Sequence, residues 1–247
     1  WAKKVSGASF CWRDGCVNPL ALHTALLRAV TRLGGETRLG WRITGATRTG
    51  EEWRLTSPEG SLTAAHVVLA AGLGSEGLAE RFGLSVPVRP QRGQVLVSQR
   101  MPSVMPLPAS TLRQTADGTF LVGATKEEVG FDRSTTTKAA ATLARNAMRI
   151  TPALRHMNVV RHWAGLRVMT PDGAPIYDFG ENATAVACHS GITLAPVHAE
   201  LIVSELLDRK GDQDIRALSP RRFHRADCPG SRERGRRAGL AATGPRC

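Results

Sequence analysis

The apolar positions change period several times along the chain, and each change predicts an element. Between residues 18 and 34, Leu22, Leu26, Ala29, Val30 and Leu33 recur at helical spacing. They follow Asn18-Pro19, a good N-cap and a residue suited to the first helical position, and Gly34-Gly35 stops the helix. Short alternating runs at 41–47, 53–56 and 61–63 are separated by Thr49-Gly50-Glu51 and Pro58-Glu59-Gly60, the pattern of a small β-meander. His66-Val-Val-Leu-Ala-Ala-Gly72 is continuously apolar, as in a buried strand whose small C-terminal residues let backbone or ligand approach closely. A helix is expected to begin near Ser75. Beyond Pro87-Val-Arg-Pro90, alternation at 93–98 and 119–123 predicts an antiparallel sheet and a second domain. A helix capped by Ser134 is expected to run to about Arg149 through Ala140, Leu143, Ala144, Ala147 and Met148, ending at Pro152. The chain then returns through 159–167, forms a strand at 183–187, and passes Gly191 into a helix over 194–207, with Pro196 in its first turn.

Composition adjusts this picture only in places. A chain of 247 residues with 42% hydrophobic content holds a real core, as one large domain or two small ones. No apolar run approaches a membrane span, and the opening Trp1-Ala-Lys-Lys-Val5 lacks the order of a signal peptide, so a cytoplasmic location is the default expectation. Cys11, Cys16, Cys188, Cys228 and Cys247 are odd in number without a CxxC pair, which indicates neither a disulfide framework nor a metal site. The net charge of +12 is unevenly spread: eight arginines between Arg221 and Cys247, against Asp227 and Glu233, supply half of it. That stretch reads as a solvated, disordered tail, and no aromatic residue after Phe223 interleaves its charges as a stacking platform for nucleic acid.

The chemistry concentrates in two stretches, Trp163-Ala-Gly-Leu-Arg-Val-Met-Thr-Pro-Asp-Gly-Ala-Pro175 and Cys188-His-Ser-Gly-Ile-Thr-Leu-Ala-Pro196. Arg167 offers a planar fork of donors for a carboxylate, although by sequence alone an arginine between Leu166 and Val168 is more often a member of a structural ion pair. Ser190, Gly191, Ile192, Thr193 and Leu194 open a helix whose first amides are unsatisfied donors at its positive end; an ordinary glycine-packed helix start is the alternative. His189 is either a proton acceptor or a hydrogen-bonded structural histidine, and Cys188 reads as a small buried thiol. Tyr177 reads as a packing residue.

Together the two stretches resemble the C-terminal signature of the FAD-dependent amino-acid oxidase and dehydrogenase family, which includes D-amino-acid oxidase, glycine oxidase and sarcosine oxidase. The resemblance spans roughly residues 5 to 215. It implies an α/β fold: a partial FAD-binding Rossmann-like domain, its first βαβ unit missing, joined to an antiparallel-sheet α+β substrate domain. The expected divisions are 1–86 for the partial FAD-binding domain, 87–166 for the substrate domain, 167–216 for the return to the first domain, and 217–247 for the basic tail. By the same resemblance Arg167 anchors the substrate carboxylate, and the segment from Ser190 to Leu194 lies at the pyrimidine edge of the flavin. The backbones of Ile43, Ala71 and Gly72 approach the dinucleotide, and His189 is the candidate proton acceptor. The implied activity is oxidation of the C–N bond of an amino acid or secondary amine by hydride transfer to FAD, with an electron-accepting partner subunit in view. The glycine-rich G-x-G-x-x-G turn of that family does not occur in the chain, which leaves a fragment or a non-catalytic interaction subunit as the alternative.

Overall fold

The computed structural model describes residues 2, 7–109, 111–207 and 215–223. Helix α1 (Pro19–Arg32) begins as its cap predicts, with the Asn18 side chain accepting hydrogen bonds from the amides of Leu20 and Ala21. None of its residues is buried, and Leu26, Val30 and Leu33 of its apolar face are exposed. Strands β1 (Gly45–Thr49), β2 (Glu52–Ser57) and β3 (Gly60–Ala64) form the antiparallel meander. The first of these starts later than expected: residues 41–44, Ile43 among them, lie before it. Trp41 explains the shift, because its indole turns toward Gly60 at the head of β3 and beneath the Arg38 guanidinium instead of continuing the ladder.

Strand β4 (Val67–Leu69) pairs in parallel with β10 (Ala183–Ala187), which pairs antiparallel with β9 (Ile176–Gly180). A short helix, α2 (Ser75–Ala79), follows β4 near the expected place. Around this sheet lies one apolar core, with Trp53, Leu69, Phe82, Leu84, Val86, Val88 and the alanines of β10. Trp53 and Phe82 meet edge to face at 4.9 Å.

The second sheet is entirely antiparallel, in the order β6 (Leu112–Gln114), β7 (Thr119–Gly123), β5 (Arg89–Arg100), β8 (Val159–Met169). Side-chain alternation gives it two unlike faces. Leu96, Val122 and Leu112 share a register row and pack under helix α3 (Thr137–Ile150) with Phe120, Leu143, Ala147 and Leu154. Thr136, not the expected Ser134, caps α3, its hydroxyl accepting from the Ala139 amide; Ser134 is occupied by Asp132 and Arg92. The division expected at 166/167 falls inside β8, which pairs with β5 along its whole length.

Helix α4 (Gly191–Leu206) begins three residues earlier than expected, which moves Pro196 from the first turn into the second. The ring then removes one helical donor in a segment whose inner side is fixed by buried His198 and Ile202. Residues 215–223, which include the start of the expected tail, form two 3-10 turns, where Arg222 bonds Asp172 and the carbonyls of Ala174 and Pro175. The remainder of the tail, 224–247, lies outside the described residues. No described helix is long and apolar enough to cross a membrane.

Phe120 is fully enclosed between β7 and α3, and its truncation leaves a void that neighbouring strands cannot fill. Phe120→Ala is expected to cost about 3–5 kcal/mol of stability, read as a lower denaturant midpoint in chemical unfolding.

Candidate functional site

Opposite α3, the second sheet presents Gln91, Gly93 and Val95 from β5 beside Trp163, Gly165 and Arg167 from β8. Gly93 and Gly165 are cross-strand partners, so the centre of this face has no side chain. The Arg167 guanidinium occupies that space: a Cβ on Gly93 would lie 2.5 Å from both of its terminal nitrogens. One of these, Nη1, donates to the carbonyls of Thr125 at 3.0 Å and Arg92 at 3.4 Å. Arg167 makes no salt bridge among the described residues, and its Nε and Nη2 donate to none of them. The guanidinium is thus half-buried, held by backbone oxygens on one edge, and open on the Nε/Nη2 edge.

The carbonyl that receives Arg167 is itself fixed from the covered side of the sheet. Thr125 Oγ1 accepts from the Gln94 amide at 2.9 Å and donates to Glu127. Gln94 is completely buried, donates from Nε2 to Glu127 and accepts from the Thr136 amide that opens α3. Arg92, 4% exposed, bonds Glu127 at 2.7 Å and also Asp132. Hydrogen bonds from Thr125 first, then from Arg92 and Gln94, hold the Glu127 carboxyl below the ordinary carboxylate range, against the opposing pull of desolvation. Apart from Arg92 Nε, which is buried without a partner, the polar atoms of this group hold one another, which makes it a stiff support.

The other predicted residues except Ile43 follow the ends of β4 and β10, which lie side by side, the usual place for a ligand in a parallel sheet. Gly72 turns the chain at φ 57°, and a Cβ there would touch Val168, the neighbour of Arg167, at 3.4 Å. After β10, Ser190 adopts a left-handed conformation (φ 62°, ψ 34°) to start α4, and its hydroxyl bonds His189 Nδ1 at 2.7 Å instead of capping the helix. Leu194 donates back to the Ser190 carbonyl, and the amides of Gly191, Ile192 and Thr193 face outward from an exposed helix start. Ile43 and Ala71 meet at an open cavity of about 640 Å³, with Trp41, Arg42, Thr44, Gly74, Gly77, Leu78 and Arg81 as its other walls. Arg167 and the α4 start are not among those walls, so the predicted residues fall at three places: Ile43 and Ala71 at the cavity, Arg167 on the sheet face, and His189 to Leu194 at the turn after β10; Gly72, packed beside Val168, links the first two. Small residues at strand ends, a cavity with two arginines and an uncapped helix start suit an anionic dinucleotide bearing a planar ring.

His198 was missed by the sequence reading. It is buried on the inner side of α4, with Nδ1 2.5 Å from the Tyr177 hydroxyl and Nε2 3.0 Å from Cys188 Sγ. Tyr177, also buried, has no other acceptor among the described residues, so it donates to Nδ1 and the Nε2–H donates to the thiol. The group ties β9, the end of β10 and α4 together immediately behind His189 and Ser190. Its signal was available: Leu194, His198 and Ile202 recur every four residues. Burial lowers the His198 pKa and raises that of Cys188, so both are neutral.

The family described as FAD dependent oxidoreductase matches residues 1–205 of the chain. An opine oxidase subunit of Agrobacterium tumefaciens is 37% identical over 224 residues, covering 90% of this chain and 60% of that protein. Glycine oxidase of Pseudomonas putida is 32% identical over 196 residues, covering 76% of this chain and 51% of that one. Among solved structures, glycine oxidase from Geobacillus kaustophilus superposes with a TM-score of 0.72 at 25% identity, over 80% of this chain and 56% of that one. The chain therefore spans between half and three fifths of the length of these relatives.

The spacing above Gly93 leads to one expected outcome. Gly93→Ala should leave the unfolding midpoint nearly unchanged, because the far end of a long side chain swings aside, while the guanidinium leaves the Thr125 carbonyl. Slow exchange of the Arg167 guanidinium protons in the native protein, and fast exchange in the variant, is the NMR signature; equal exchange refutes it. A second outcome concerns pH. His198 and His66 are both held below the ordinary imidazole value of 6.5 by burial, so the unfolded chain takes up protons first. The stability from keeping them neutral is complete above about pH 6.5 and is lost as pH falls through the lower folded values. Denaturant midpoints measured through this window should fall less steeply in His198→Gln, where only His66 remains.

Proposed function

Because the chain belongs to the FAD dependent oxidoreductase family, we propose that it contributes the carboxylate-binding sheet and the flavin-facing helix start of an enzyme that oxidises the C–N bond of an amino acid or secondary amine. The observation that carries this reading is Arg167, a half-buried guanidinium with no ion-pair partner among the described residues and one hydrogen-bonding edge open above a floor of glycines. An unpaired charge in such a place is costly unless a ligand supplies the counter-charge, and a carboxylate matches the open edge with two parallel bonds.

FAD fits the residues present: Ile43, Ala71 and Gly72 would hold its dinucleotide part, and the segment from Ser190 to Leu194 its ring. Held there, FAD would supply the two-electron acceptor that oxidation of a C–N bond needs. The chain's own residues do the rest. Arg167 fixes the carboxylate and so orients the adjacent C–H bond, while the support from Gln94, Glu127 and Thr125 limits how far the guanidinium swings. The amides of Gly191, Ile192 and Thr193 provide fixed donors for negative charge without reorganisation during reaction. In the tautomer whose Nδ1–H donates to the Ser190 hydroxyl oxygen, His189 keeps Nε2 as the acceptor that takes a proton from the substrate nitrogen. The opine oxidase relative is itself one subunit of its enzyme, which supports an electron-accepting partner for this chain.

The test is reconstitution of the purified protein with FAD, followed by absorbance in the flavin bands and reduction by carboxylate-bearing amines. Flavin binding and reduction are expected. Arg167→Ala should retain the flavin and raise KM for the amino acid on the order of 10²-fold, the effect of removing one member of a charge-assisted pair. Unchanged KM removes Arg167 from the site. Failure to bind any flavin favours the non-catalytic interaction protein instead.

A further inference from the structure

The sheet face that carries Arg167 also carries Trp163, whose indole has no task in binding a carboxylate. Trp163 is 40% exposed and has no ring or cation–π partner among the described residues. Its six-membered ring leans along β8 over Gly165, where an added Cβ would lie 3.2 Å from Cζ3. Gly165 is the cross-strand partner of Gly93, over which the Arg167 guanidinium lies. The indole and the guanidinium therefore approach one glycine pair from opposite ends, with three residues of extended strand between them.

Polarity changes across this short distance. The cross-strand partner of Trp163 is Val95, itself packed over the space left by Gly123. The partner of Arg167 is Gln91, which donates to Glu128. One end of the glycine floor is thus aromatic and aliphatic, and the other is cationic and polar. A ligand lying along it meets an ionic anchor first and an apolar wall second.

Resting on the reading of Arg167 as the carboxylate anchor, we propose that Trp163 is the specificity-determining residue. It selects amino or imino acids whose apolar substituent is long enough to reach from Arg167 to the indole that covers Gly165. A very small amino acid would reach Arg167 and leave Trp163 uncovered. Substrates with a bulky aliphatic or aromatic group cover both, and the apolar area removed from water sets the preference.

Two carboxylates, acetate and cyclohexylacetate, separate the anchor from the wall when titrated against the protein by NMR. The native protein should bind cyclohexylacetate about tenfold more tightly than acetate, the discrimination typical of a modest apolar pocket. Trp163→Ala should bind acetate as before, with the preference reduced to within about twofold, and Trp163→Phe should keep most of it. Far-UV circular dichroism checks that each variant is folded, and the phenylalanine variant retains a wall of similar shape. Arg167→Ala should weaken both ligands. Acetate affinity indifferent to Arg167→Ala overturns the anchor and the wall together. Acetate affinity that needs Arg167, with a preference that is absent in the native protein or persists in Trp163→Ala, overturns the wall alone.

Discussion

A glycine pair facing a guanidinium is the constraint on which the site depends. Cross-strand neighbours normally fill the space above a sheet with their own side chains, and here Gly93 and Gly165 leave it empty for groups reaching in from Arg167 and Trp163. The arginine cannot be treated as a solvated surface charge, since its Nη1 is engaged by two backbone carbonyls. It cannot be treated as a completed ion pair either, because no described carboxylate reaches it. Side-chain alternation makes the arrangement work: the same strand that offers Gln91 and Gly93 to the open side sends Arg92 and Gln94 to the covered side, where Glu127 binds both. An ionic network with a buried arginine and partly exposed carboxylates thus sits one backbone thickness beneath the open guanidinium. Its contribution to net stability is small by comparison with its effect on position, since buried charges gain little over apolar packing and much in definition.

The two apolar cores divide the labour in a related way. One gathers under the antiparallel sheet and α3, the other around the β4–β10–β9 sheet, and the long β5 and β8 strands carry the chain between them. Val168 joins the first sheet to the second: it follows Arg167 in β8, packs against the core around β10, and meets the turn at Gly72. A displacement of β8 would therefore move the Arg167 guanidinium and the strand-end turn together, which ties the sheet face to the cavity mechanically.

What was legible in the sequence is what local physics decides. The Asn18-Pro19 start of α1, the alternation of β7 and the apolar run of β10 need only neighbouring residues, and each lies where the pattern puts it. The family resemblance was equally legible, because the stretch ending at Pro175 and the one ending at Pro196 carry it without any knowledge of their contacts. Distant partners decided the rest. Ser134 and Thr136 are both competent caps, and the choice fell to Thr136 because Arg92, 42 residues away, engages Ser134. Trp41 left its strand for a contact with Gly60. His198 was hidden in a helix whose polar partners, Tyr177 and Cys188, come from β9 and from the end of β10.

That buried triad also accounts for the unusual start of α4. A left-handed Ser190 carries a steric cost of about 1–2 kcal/mol relative to a glycine there, and a serine that does not cap its helix gives up a further favourable bond. Something must hold the turn in this form. The hydrogen bond between His198 and Cys188 spans it, joining the residue just before the turn to a residue two turns into the helix after it, while the Tyr177 hydroxyl fixes the imidazole from β9. With both ends pinned from the buried side, the turn is free to leave its first amides uncapped on the exposed side. A helix start that is costly as a piece of local structure at Ser190 is therefore held by Tyr177, His198 and Cys188 as a rigid set of exposed amide donors.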